Sequence, residues 1–124
     1  MKTASFFTYA TGPGQISIAR WAPRGFSKLP VYRYLNPDAD MLKMAREAYL
    51  PRYQAILERL DPEAVWRDLH HLAAGQEPVL LCWERPPFTA RTWCHRRLVA
   101  EWLEDRLQVQ VPELVTPSPQ LTLF

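Results

Sequence analysis

At 124 residues the chain can bury one hydrophobic core but not two, and 48% hydrophobic with 23% charged residues is globular rather than wholly disordered composition. A formal net charge of +2 does not by itself argue for nucleic acid, so where the arginines fall matters more than their number. No apolar run approaches the roughly 20 residues that span a bilayer, and the opening MKTASFFTYATGPG lacks the apolar stretch of a secretory signal. A cytoplasmic protein with no membrane partner is expected.

Residues 4–9 (ASFFTY) and 15–20 (QISIAR) are short β-branched or aromatic runs separated by TGPG, the pattern of two strands. WAPRGFSKLPVYRYLNP mixes Pro, Gly, aromatic and basic residues without a period, and reads as an ordered loop with an extended piece at 31–34. Beyond residue 38, Met41, Met44, Ala45, Ala48 and Tyr49, then Tyr53, Ile56, Leu57 and Leu60, recur at helical spacing. Pro51 lacks an N–H and crowds the preceding turn, so two helices or one kinked helix is expected there. The next helix opens with Asp61 as N-cap and Pro62 at its first position, buries Val65, Trp66, Leu69 and Leu72, and closes near Gly75.

PVLLCWE at 78–84 is a continuous apolar run, as expected of a strand covered on both faces in a parallel sheet. After the loop RPPFTART, CHRRLVAEWLEDRL predicts a helix with Leu98, Val99, Trp102, Leu103 and Leu107 on one side. VQVPEL at 109–114 predicts a last strand, at an edge because of Pro112. The expected architecture is a single α/β domain over 1–114, a mostly parallel sheet flanked by helices. An extended tail follows over 115–124, stiffened by Pro117 and Pro119.

Two cysteines are too few for a disulfide scaffold, so Cys82 and Cys94 are expected as free thiols. Neither Cys94-His95 nor the distant His70-His71 supplies the spacing of a zinc site, and no metal or cofactor is expected. In a parallel sheet, the carboxyl end of a strand and the start of the next helix face one crevice. Cys82, Glu84, Cys94, His95, Arg96 and Arg97 are therefore candidates for a shared site. Glu84 is read as general base or nucleophile, or as a partner of Arg85, Arg91 or Arg96; Cys94 and His95 complete the catalytic candidates. First-turn amides and the helix dipole favour an anion, and Arg96 or Arg97 would clamp it, at most one pointing inward. Cys82 inside VLLCW equally suits a small core residue, and His70 and His71 a surface or packing role. Phosphate-loop, dinucleotide, cysteine-phosphatase and serine-hydrolase signatures are absent.

LLCWE followed by CHRRLVAEWL resembles the paired motif of the bacterial domain-of-unknown-function 488 family, a strand ending Leu-Leu-Cys-x-Glu that leads to Cys-His-Arg at a helix start. ISIARWAP is similar to that family's Arg-x-x-Pro, through Arg20 and Pro23, and the likeness spans most of 15–107. The resemblance implies an α/β fold with a polar crevice and singles out Arg20, Cys82, Glu84, Cys94, His95 and Arg96. It departs at Ile18, where many members carry an acidic residue, and in the length of RPPFTARTW. The family's name records no established activity, so fold is implied more firmly than function.

The terminal QLTLF resembles the pentapeptide with which many bacterial DNA-processing proteins dock on the replication sliding clamp. Gln120 would hydrogen-bond through its amide, and Leu121, Leu123 and Phe124 would anchor in apolar pockets; otherwise the tail packs back on its own domain. The expectation is a DNA-associated protein of bacterial or phage origin, tethered to the clamp. Its substrate would be a nucleotide, nucleobase or phosphate-bearing molecule held by Arg20 and Arg96. A non-catalytic adaptor for nucleic acid or protein is the alternative. A thiol redox protein is a third reading, and the sequence separation of Cys82 and Cys94 stands against it.

Overall fold

Three short strands form one sheet in the computed structural model, which describes residues 1–86, 88 and 93–114. They are β1 (Lys2–Ser5), β2 (Gln15–Ser17) and β3 (Val79–Cys82). The order is β1-β3-β2 with every pairing parallel. β3 is central and buried at each residue, because a strand without polar alternation has to be covered on both faces. The register sets Ala4 beside Leu81 and Ile16 beside Leu80. Parallel bridges Ser17–Val31 and Thr3–Glu113 widen the sheet at both edges. The strand expected at 109–114 is reduced to that bridge, with Thr3 N–H donating to the Pro112 carbonyl (3.0 Å) and Leu114 N–H to that of Thr3 (2.7 Å). Of the extended piece expected at 31–34, Val31 alone pairs before a 3₁₀ turn at Arg33–Leu35.

The first strand ends at Ser5, short of the 4–9 span expected. Ser5 N–H donates to Thr8 Oγ1 (3.1 Å), Phe7 N–H to Ser5 Oγ (3.1 Å), and the Thr8 and Tyr9 amides to the Ser5 carbonyl. Hydroxyl side chains thus offer the backbone a turn in place of the ladder.

After a 3₁₀ segment at Ala39–Lys43 come three α-helices: α1 (Arg46–Glu58), α2 (Pro62–Leu72) and α3 (His95–Leu107). Pro51 sits inside α1 on its exposed side and does not divide it. The break falls earlier, where Met44 and Ala45 are both extended. α2 starts as its residues dictate, with the Asp61 side chain accepting from Glu63 N–H at 3.1 Å.

All three helices send buried residues, among them Tyr53, Leu57, Leu69, Val99 and Leu103, into one cluster with Ile16, Ile18 and Leu80. On the opposite face, Ala4, Phe6, Val79 and Leu81 are closed over by Phe26, Leu29, Phe88 and Leu114. Helices therefore cover one side of the sheet and loop residues the other. This leaves the carboxyl ends of β2 and β3 beside the N-terminus of α3.

Candidate functional site

Chain continuing from β2 supplies Ala19, Arg20 and Trp21; chain leaving β3 supplies Trp83 and Glu84; the start of α3 supplies Trp93, Cys94 and His95. With Cys82 and a wall of Pro37, Met41, Leu42, Met44 and Tyr49, they enclose a cleft of about 440 Å³. This is the crevice expected at the carboxyl ends of parallel strands. Arg20 is exposed, donates to the Pro37 carbonyl at 3.4 Å and lies 5.8 Å from the ring of Trp21. Trp83 donates its indole N–H to the Trp21 carbonyl at 2.7 Å, so the two loops are tied together. Both indoles remain accessible, at 65% for Trp21 and 45% for Trp83. Glu84 is exposed on the same rim.

His95 lies at the back of the cleft, 6% exposed. Its Nε2 is 2.8 Å from the Ile18 carbonyl, and since a carbonyl only accepts, Nε2 carries the proton and Nδ1 of the neutral ring presents a lone pair. Nδ1 faces the Cys94 sulfur at 3.8 Å. Burial, with help from the Arg96 charge, pushes the His95 pKa down to about 4, although the Ile18 hydrogen bond works the other way. The imidazole is therefore neutral near pH 7. Ile18, where the resemblance led one to look for an acidic side chain, contributes its backbone oxygen to the site instead.

Cys82 and Cys94 are not free thiols, as had been expected, but are joined as a disulfide, with Cα atoms 6.9 Å apart. They are twelve positions apart in sequence, but the end of β3 and the start of α3 meet in space, so distance along the chain is no obstacle to their pairing. Arg96 and Arg97, expected as anion clamps, are engaged by the protein itself. Arg96 is fully buried, gives a forked pair to Glu113 (Nε–Oε1 2.9 Å, Nη2–Oε2 2.7 Å), directs Nη1 to Cys82 Sγ at 3.2 Å, and stacks over Phe88 at 4.8 Å. Arg97 donates to Thr3 Oγ1 and to the Val111 carbonyl, each at 2.8 Å. Thr3 Oγ1 in turn donates to Glu113 (2.7 Å), so the two arginines bind the 111–114 segment to β1. Neither lines the cleft beside Arg20.

A family model described as the active DUF488-N3 subclade matches residues 9–107. The chain belongs to the DUF488 family. No curated protein and no solved structure matches it. The DUF488 match covers the strand ends and helix start that build the cleft, together with the helical wall opposite them.

Sequence reasoning singled out Arg20, Glu84, Cys94 and His95 without the aromatic residues around them. Trp21 reads as loop, Trp83 as strand and Tyr49 as helix, and the one hint of another use is that Trp21 and Trp83 both stand close to the end of a strand run. Residues 120–124 lie outside the described residues.

Proposed function

We propose that this DUF488 protein is an enzyme that takes a nucleotide, nucleobase or related phosphate-bearing aromatic in the Arg20–Glu84 cleft and works tethered to a sliding clamp by QLTLF. The observation that carries this reading is the meeting of a guanidinium, two accessible indoles and a carboxylate around one cleft. A flat base stacks on Trp21 or Trp83, a sequence-tolerant contact worth about 1–3 kcal/mol. Arg20 takes the anionic part through paired donors. Glu84 acts as general base or nucleophile, a role worth roughly 10²–10⁴ in rate. His95, neutral and held by Ile18, orients rather than charges the back of the pocket. The name of the subclade, active, favours catalysis over a purely adhesive role.

Three of the lining residues are tryptophans, so indole fluorescence reports occupancy directly. Titration with nucleobases, nucleosides and nucleoside monophosphates is expected to give saturable quenching. Arg20→Ala is expected to weaken the phosphate-bearing ligands about tenfold or more while sparing bare nucleobases. Glu84→Gln is expected to retain binding and lose turnover of whichever nucleotide or modified DNA is processed. Turnover unchanged in Glu84→Gln would remove the catalytic assignment and leave the adaptor reading, in which charge-driven DNA binding falls steeply with added salt.

A further inference from the structure

We infer that the reduced chain binds one zinc ion at the back of the cleft, through Cys82 Sγ, Cys94 Sγ and His95 Nδ1. The inference rests on this cluster alone and not on the nucleotide reading. Among the described residues, these three are the one group whose His, Cys or carboxylate ligand atoms gather closely enough for an ion, all within 4.8 Å of one another. All three are buried and all three line the cleft.

The surroundings of the three donors are those of a metal site. His95 donates Nε2–H to the Ile18 carbonyl, leaving Nδ1 as the metal-binding nitrogen; a backbone carbonyl fixing the tautomer from behind is the usual support of a ligating histidine. Arg96 directs an N–H to the Cys82 sulfur, which favours the thiolate, the form that ligates. Charge also balances: Glu113 neutralises Arg96, and two thiolates neutralise a divalent cation, so loading adds no uncompensated charge to the interior. The Cα separation of 6.9 Å lies just beyond the roughly 4.4–6.8 Å that disulfides usually span. Once the sulfurs part, an ion with Zn–S bonds of about 2.3 Å fits between them. Two soft sulfurs and an imidazole select zinc over magnesium or calcium. Three protein ligands leave a position for water on the cleft side, as in catalytic rather than structural zinc sites.

The site therefore has two states. A phosphine reductant opens the disulfide: it takes the oxygen of one water and becomes phosphine oxide, while the two sulfurs receive two electrons and that water's two protons. Zinc then displaces both thiol protons. The oxidised chain offers the imidazole alone.

The test uses the full chain with cobalt(II) as a spectroscopic substitute for zinc. Reduced with a phosphine and titrated anaerobically, it is expected to take up one cobalt per chain, with thiolate-to-metal charge-transfer bands and the strong visible bands of a four-coordinate ion, both erased by zinc. His95→Ala, Cys82→Ser and Cys94→Ser are each expected to weaken binding by more than about 100-fold. The oxidised wild-type chain, a control that needs no substitution, is expected to show no thiolate bands. Zinc is also expected to slow alkylation of Cys82 and Cys94 in the reduced wild type, read by mass spectrometry. Absence of thiolate bands in the reduced wild type, unchanged alkylation with zinc, or equal binding by oxidised and reduced chains would overturn the site.

Discussion

At the scale of single residues, the most buried ion pair among the described residues is Arg96 with Glu113, whose side chains are 0% and 13% exposed. Glu113→Ala leaves a buried guanidinium without its counter-charge and takes an acceptor from Thr3, so it is expected to cost about 3–5 kcal/mol in urea unfolding. Replacing both partners by apolar residues, Arg96→Met with Glu113→Leu, is expected to cost less than Glu113→Ala alone, since no charge is then stranded. His95 gives a second prediction, for the metal-free, disulfide-linked chain. Burial holds its folded pKa at about 4, whereas an unfolded histidine titrates near pH 6.5. Between those values the unfolded chain binds a proton that the folded chain refuses, so stability falls as pH drops from about 6.5 to 4 and is insensitive to this group above 6.5. The groups facing the ring are the Cys94 sulfur, Tyr53, Arg96 and the Ile18 carbonyl. None of them is an acid that would reverse the sign. Unfolding free energies measured across this interval are expected to slope less in His95→Gln than in wild type; equal slopes would dismiss the buried-histidine account.

At the scale of elements, the sheet was legible because the VLLC run at 79–82 allows no exposed face, and α2 because Asp61, Pro62 and the Val65–Leu69 spacing all agree. The disulfide and the Arg96–Glu113 fork were not, because both depend on where the chain returns after a helix or loop. Arg96 and Arg97 look equivalent in sequence, yet successive helical residues point about 100° apart, and the rotation of α3 alone decides that Arg96 meets Cys82 while Arg97 meets Thr3. Gly14 is an element-level constraint of the same kind. It has φ +77°, its carbonyl accepts from Val79 N–H at 2.8 Å where β2 begins beside β3, and a Cβ there would collide with the Glu77 carbonyl. Gly14→Ala is therefore expected to lose roughly 1–3 kcal/mol from backbone strain alone, with more from the collision. Gly75, also at positive φ, meets nothing within 4 Å, so Gly75→Ala is expected to lose less than Gly14→Ala when the two are compared by thermal unfolding.

At the scale of the whole molecule, the cleft and QLTLF are two devices on one chain, and the proposal needs them to be separable. Among the described residues, those lining the cleft fall between Ala19 and His95, and Glu113 is tied to the domain through Thr3 and Arg96. Deleting Gln120 to Phe124 is thus expected to leave unfolding midpoint, tryptophan quenching and cobalt uptake unchanged while abolishing retention on an immobilised bacterial clamp. A synthetic PSPQLTLF peptide is expected to compete with the intact chain for the clamp, and one with Gln120, Leu123 and Phe124 replaced by alanine to fail, because the central amide and apolar anchors carry such contacts. Retention that survives the deletion would remove the tether and leave the chemistry of the cleft to be judged by Arg20 and Glu84 alone. If the deletion instead lowered the unfolding midpoint, QLTLF would be packing on its own domain, and its apolar residues would belong to the fold rather than to a partner.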